Sequence, residues 1–287
     1  MKKSHSKTHL LFYVLITMLL ALIVWTIWGN TALMANSITL SGNQIPSEFS
    51  GFRIAQISDL HNAEFGEGNS HLLNSLSESK PDMIAITGDL VDAQHTNIDV
   101  ALSFAEKAVQ IAPVYYVTGN HEASLSQYSE LKTGLEAAGV IVLEDKAIQL
   151  EHNGGIVTLM GLSDPNFTIK SNIFDEVPAM ISTKLNDLME NKAGYTILLS
   201  HRPELFDTYV SCGVDLVLSG HAHGGQFRLP LIGGLVAPNQ GFFPKYDAGL
   251  YTDGGTNMVV SRGLGNSIIP LRFNNRPEIV LVELKAD

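Results

Sequence analysis

Five short clusters carry most of the residues in this chain that could do chemistry. They are Ser58-Asp59-Leu60-His61, Gly88-Asp89, Gly119-Asn120-His121-Glu122, Ser200-His201 and Gly220-His221-Ala222-His223, and they hold five of the ten histidines. Asp59 and His61 are two apart, as are His221 and His223. At an extended strand end alternate side chains share a face, so each pair can reach one ion. Asp89 is a hard anionic ligand whose two oxygens can bridge two cations, and His201 and Asn120 add nitrogen and oxygen donors. Imidazole, carboxylate and amide donors without a thiolate suit Mn²⁺, Fe or Zn²⁺, and so many imidazoles make Mg²⁺ a poorer match. A lone Asp-x-His or Gly-Asn-His is an ordinary turn; five clusters in order are not.

The elements that must position these residues are legible in the pattern around them. Residues 52–57, 83–87, 114–118, 157–160, 195–199 and 214–218 are short aliphatic or β-branched runs, predicted to be buried strands. Most run straight into one of the clusters. Between them, 99–111 places Ala101, Phe104, Ala105, Ala108 and Ile111 on one helical face, and 124–138 and 178–191 behave similarly. Gly139 and Gly194 are the expected stops. Alternating strands and helices imply an α/β layer architecture. Carboxyl ends of strands in such folds meet at one crevice, so the clusters are expected to converge. Residues 224–275, rich in Gly, Pro and Asn, read as long loops and hairpins, followed by an alternating strand over 278–284.

Taken together and in order, Asp59-x-His61, Gly88-Asp89, Gly119-Asn120-His121-Glu122, His201 and Gly220-His221-x-His223 resemble the calcineurin-like metallophosphoesterases. Ser58-Asp59-Leu60-His61-Asn62, Gly220-His221-Ala222-His223-Gly224-Gly225-Gln226 and Arg272-Phe273-Asn274-Asn275-Arg276-Pro277-Glu278 are similar to the bacterial membrane-associated, YkuE- and YaeI-like branch. The likeness runs from about residue 49 to 284. It implies a four-layer αββα sandwich of two mixed sheets and two divalent metal ions. On the same resemblance Asp59, His61 and His223 hold one metal, Asn120, His201 and His221 the other, and Asp89 bridges. His121 is then no ligand but lies beside the leaving group.

That resemblance implies hydrolysis of a phosphate ester or anhydride by a hydroxide on the metal pair, with a phosphodiester as the expected substrate. His121 suits the general acid, since imidazole titrates near neutrality. Glu122 either orients that imidazole or is an exposed start to the helix at 124. Arg262, Arg272 and Arg276 either bind phosphate or pair with structural carboxylates such as Glu278 or Asp253. Two other readings remain open: a pyrophosphatase acting on a lipid-linked or envelope substrate, and a non-catalytic protein that only holds metal. The apolar 229–236 and 242–243 segments are expected to pack as core.

The N-terminus differs from the rest. Residues 10–28 are uncharged and rich in Leu, Ile, Val, Phe and Trp, about the 20 residues a membrane-crossing helix needs. Lys2, Lys3 and Lys7 precede them, which places residues 1–9 in the cytoplasm and the remainder outside. The run exceeds a signal-peptide core of about 7–15 residues and is followed by a poor cleavage site, so a retained single-pass anchor in the cell membrane is expected. Residues 29–48 then form a linker and leading strand, and 49–287 one catalytic domain. Setting aside the three lysines, 15 basic residues face 29 acidic ones, a net charge of −14. Such a domain is not expected to bind nucleic acid. The single cysteine, Cys212, excludes an intrachain disulfide and reads as a small buried residue.

Overall fold

The central strands are runs of four or five residues buried on both faces, and successive side chains serve two different cores. A computed structural model describes residues 4–169, 176–266 and 269–287 of the chain. Helix α1 (Ser4–Thr31) comes first. Strands β1 (Met34–Gly42), β2 (Arg53–Ile57), β3 (Met83–Thr87), β4 (Val114–Val117) and β5 (Ile141–Val142) follow, with α2 (Ser70–Ser79), α3 (Ile98–Ala108), α4 (Asn120–Ser124) and α5 (Tyr128–Ala137) between them. Next come β6 (Lys146–His152), β7 (Gly155–Gly161), α6 (Glu176–Met189), β8 (Thr196–Leu199), α7 (Phe206–Ser211) and β9 (Leu216–Ser219). The last part holds β10 (Arg228–Leu229), β11 (Gly233–Gly234), β12 (Val236–Ala237), β13 (Gly241–Phe242), β14 (Gly249–Asp253), β15 (Thr256–Val260) and β16 (Glu278–Ala286).

Two six-stranded mixed sheets result, ordered β1-β16-β2-β3-β4-β5 and β14-β15-β9-β8-β7-β6. Alternation along the strands explains the layers. Ala55, Ile57, Ile84, Ile86 and Tyr116 face outward onto α2, α3 and α5, meeting Leu72, Leu76, Phe104 and Leu131. Their neighbours Ile54, Met83, Ala85, Tyr115 and Val117 face inward, against Val157, Leu159, Ile197, Leu199 and Leu218 of the other sheet. Met160, Leu198, Val217 and Met258 line the far side of that sheet and receive Ile181, Leu185, Phe206 and Tyr209 from α6 and α7. The outcome is the expected αββα sandwich.

The predicted strands stand within two residues of the observed ones at each end. The helix expected over 124–138 is α5, starting only at Tyr128; Ser124 instead ends the short α4, because Leu125 turns extended (φ −86°, ψ 120°) and buries its side chain. The 224–275 region holds hairpins among its loops, β10–β11, β12–β13 and β14–β15; the last joins the second sheet, β15 running parallel to β9. Residues 29–48 hold the strand β1. Helix α1 ends at Thr31, and β1 starts at Met34 in parallel register with β16 from Met34↔Glu278 to Gly42↔Ala286. Cys212 is half-buried rather than buried. Within His9–Thr31 an 18-residue stretch has a mean hydropathy of 2.6 and no buried residue; Lys2 and Lys3 lie outside the described residues.

Candidate metal centre

All eight site residues predicted from the sequence come together at the carboxyl ends of five strands. The first sheet supplies Asp59 and His61 after β2, Asp89 after β3, and Asn120 and His121 after β4. The second supplies His201 after β8 and His221 and His223 after β9. The turns are forced into unusual backbone. Asp59 (φ 51°), His61 (46°), Asp89 (54°), His221 (67°) and His223 (48°) are all left-handed, which costs of order 1 kcal/mol per residue and clusters where function holds it in place. Gly88 has φ 91°, and a Cβ there would stand 2.6 Å from His201 Nδ1. At Gly220 a Cβ would stand 1.8 Å from Ser58 Oγ, so only glycine lets the two sheets' ligand loops meet.

Cross-links between the loops fix the donors. The Asp59 N–H donates to Gly88 O at 3.0 Å and the His61 N–H to Asp89 O at 3.1 Å. The His221 N–H donates to both Asp59 carboxylate oxygens at 3.1 Å, and the His121 N–H to Asp89 Oδ1 at 2.9 Å. His201 Nδ1 lies 2.7 Å from Thr87 O, a carbonyl that can only accept, so Nε2 is turned inward towards Asp89 Oδ2 at 3.2 Å.

Three groups of donors converge within 4.8 Å: Asp59, His61 and His223; Asp89, His201 and His221; and His61, Asp92 and His121. Asp89 Oδ2 lies between the first two groups, 3.7 Å from His61 Nε2 and 3.2 Å from His201 Nε2. Imidazole nitrogens face each other at 3.2 Å (His61 Nε2 and His223 Nε2) and 3.1 Å (His221 Nδ1 and His201 Nε2). Such spacings match neighbouring ligands on an ion held at about 2.0–2.2 Å. Asn120 Oδ1 is buried without a hydrogen-bond partner, an orphan that a metal would satisfy. The residues therefore fit divalent cations.

Electrostatics agree. Burial pushes His61 down to about 4 and His223 to about 3, keeping both neutral and ready to ligate. Burial and the Arg202 guanidinium hold His221 well below its ordinary value. His201 differs: burial opposes its charge, but the carboxylates of Asp89 and Asp59 prevail and raise it to about 10.

Several functional contacts escaped the sequence reading. Glu122 is neither exposed nor directed at His121; it is fully buried, and its carboxylate accepts N–H groups from Asp89, Leu90, Val91 and Gly119 at 2.7–3.3 Å. The carboxylate beside His121 belongs to Asp92, with Oδ2 4.0 Å from Nδ1. Arg202 is buried, pairs with Asp164 at 2.5 and 2.9 Å, and points Nη1 at His221 Nε2 at 3.0 Å. Among the three arginines weighed from sequence, Arg262 pairs with Glu278. Arg272 donates to the backbone carbonyls of Arg262 and Gly265 and to Asn266, and its Nη2 lies 3.4 Å from His223 Nδ1. Arg276 donates to Ala32 O and Leu33 O and covers the Trp28 ring. The contacts of Arg262 and Arg276 are structural, whereas Arg272 also reaches a ring of the metal centre.

A two-sheet sandwich with an Asp/His/Asn cluster at its strand ends defines a class, and comparison with known proteins agrees. The calcineurin-like phosphoesterase family model matches residues 52–225. The chain belongs to the calcineurin-like phosphoesterases, hydrolases of phosphate esters, a family that works with two divalent metals. It is 30% identical to the metallophosphoesterase YkuE of Bacillus subtilis over 86% of this chain and 84% of that one. It is 29% identical to the phosphodiesterase YaeI of Escherichia coli over 81% and 82%. The transmembrane protein with metallophosphoesterase domain of Danio rerio is 30% identical over 84% of this chain and 55% of its own length. Among solved structures, TT1561 of Thermus thermophilus superposes with a TM-score of 0.52 at 15% identity, covering 75% of this chain and 91% of that one. Membership of an enzyme family sets aside the non-catalytic reading.

Proposed function

We propose that this protein is a membrane-anchored phosphodiesterase working with a dinuclear metal centre. The observation that carries the reading is the pair of donor triads, Asp59/His61/His223 and Asp89/His201/His221, with Asp89 between them and the unpartnered Asn120 Oδ1 beside them. Asp59, His61 and His223 would hold one cation, Asn120, His201 and His221 the second, and Asp89 both. Bound cations supply charge neutralisation at the phosphoryl oxygens and a water of pKa about 7. The chain's own part is orientation and one proton. The Ala93 N–H donates to His121 Nδ1 at 3.0 Å, so the neutral imidazole carries its proton on Nε2. Taking up a second proton on Nδ1 beside Asp92, His121 would become the imidazolium that gives its Nε2 proton to the departing oxygen and returns to the neutral ring. Thr87 O and Arg202 fix the rings of His201 and His221.

Support for a diester comes from YaeI, which is called a phosphodiesterase. Support for the anchor comes from His9–Thr31. With Lys2, Lys3 and Lys7 on its N-terminal side, the N-terminus is placed in the cytoplasm and residues 49–287 outside. A pyrophosphatase acting on a lipid-linked substrate would use the same residues. The observation favouring it is that only Ala32 and Leu33 separate α1 from β1, which holds the cleft near the membrane.

Turnover of bis-p-nitrophenyl phosphate by the detergent-solubilised full chain, loaded with Mn²⁺ or Zn²⁺, tests the reading. Asp89→Asn should abolish activity. Hydrolysis of monoesters but not diesters would overturn the substrate class, and equal turnover by Asp89→Asn would overturn the site.

A further inference from the structure

The segments 229–236 and 242–243, expected from sequence to pack as core, instead carry the most exposed apolar side chains outside α1 among the described residues. Leu231 and Phe242 are 107% and 78% exposed, and Ile232 and Phe243 are 61% and 63% exposed. They sit on two adjacent hairpins, β10–β11 and β12–β13. The backbone beneath them is strained in a telling way. Both hairpins contain a turn closed by an N–H to carbonyl bond three residues apart with proline second, Leu229-Pro230-Leu231-Ile232 and Ala237-Pro238-Asn239-Gln240. Proline second and a left-handed third residue make a type II turn, which calls for Gly or Asn at that third place. Asn239 (φ 57°) obeys; Leu231 (φ 68°) does not. Phe243 is also left-handed, at φ 56°. A fold serving only its own stability in water would place neither side chain there.

What lies alongside identifies the occupant. The Arg228 N–H at the base of the first hairpin donates to Phe273 O at 2.9 Å. The next residue back, Arg272, exchanges both its backbone groups with the Asn30 side chain at the end of α1, at 2.8 and 2.9 Å. Arg276 holds Trp28 of the same helix end. With two residues between helix and sheet, the domain cannot leave the plane at which α1 emerges. A Trp and an Arg at a helix end mark the headgroup level. Leu231 is three residues beyond Arg228, a reach of about 10 Å. A domain this acidic has no charge-based reason to adhere to lipid, so a second hold must be apolar.

We propose that Leu231, Ile232, Phe242 and Phe243 insert into the headgroup–acyl boundary of the bilayer that α1 enters, making the hairpins a second, interfacial attachment. The inference rests on the anchor reading above. It also sets the height of the site. The first hairpin continues directly from the His223-Gly224-Gly225 ligand loop, and Asn239 in the second lies 3.4 Å from His221 Nε2. The tips therefore seat the metal cleft at headgroup level.

The test places an environment-sensitive fluorophore on single cysteines at 231, 243 and, as control, the exposed turn residue 153, in a Cys212→Ser full chain. The protein is reconstituted in phosphatidylcholine vesicles with and without nitroxide-bearing lipid. Expected are a blue shift of emission and several-fold lipid quenching at 231 and 243, and neither at 153. Aqueous spectra at 231 and 243 overturn the docking. If the protein still resists alkaline extraction the anchor stands and the docking alone falls; release at alkaline pH removes the anchor too. A blue shift without lipid quenching means protein contact, such as a second copy, and also overturns it.

Discussion

Removing either member of the Arg202–Asp164 pair should damage the fold far more than removing both. The two side chains are 5% and 0% exposed and joined by bonds of 2.5 and 2.9 Å. Breaking a buried pair leaves an uncompensated charge and costs about 3–5 kcal/mol, whereas an apolar replacement of both is often neutral. At about 2–4 °C per kcal/mol for a domain of this size, Arg202→Met or Asp164→Leu should each lower Tm by roughly 6–20 °C. The double variant should recover most of that. It should not recover all: Asp164 also accepts the Asn166 N–H at 2.9 Å, a capping bond worth about 1 kcal/mol. Both tryptophans lie in α1, so near-ultraviolet circular dichroism of the tyrosines is the proper probe, and the Tyr209 hydroxyl donates to Arg202 O itself at 2.8 Å. Because Arg202 also steadies His221, the double variant should stay folded yet bind metal about 10–100-fold more weakly. Single variants within 2 °C of the parent, as for a surface ion pair, would refute the reasoning. So would a double variant no better than the worse single.

His121→Ala should retain full metal content and lose about 10²–10⁴-fold in kcat on alkyl diesters, with a much smaller loss on p-nitrophenyl esters, whose leaving group needs no proton. Equal losses on both, or loss of metal by elemental analysis, would contradict the assignment of its proton to the leaving group. The pH dependence follows from His201, raised to about 10 from 6.5. Without an ion its imidazolium bridges Asp89 and Asp59, a contribution to stability complete below pH 6.5 and lost as pH rises through about 10. Metal binding at pH 7.5 must expel that proton, so calorimetry in buffers of different ionisation enthalpy should show release of about one proton. Zero release would be inconsistent with a charged His201.

The proposed ligands were legible in sequence because of where they fall: a charged or imidazole side chain directly after four buried aliphatic residues has few structural uses. Buried strands likewise announce themselves, since β2, β3, β4, β8 and β9 are apolar throughout. The supporting shell was not legible. Glu122 reaches residues about thirty positions away, and Arg202 finds Asp164 thirty-eight positions away. Neither contact has a local pattern, and near a cluster of histidines a lone Glu reads as well as a solvated helix start. The break after Ser124 hid for a related reason: periodicity continues through it while Glu122 ties the first turn to the Asp89 loop. Segments 229–236 and 242–243 misled because apolar residues ordinarily read as core, and nothing local shows that these end on exposed hairpins.

The most direct test is anomalous scattering from metal-replete crystals of the full chain. Two peaks should flank the Asp89 carboxylate, one within ligand distance of Asp59, His61 and His223, the other of Asn120, His201 and His221. A single peak, or none near Asp89, would contradict a dinuclear centre.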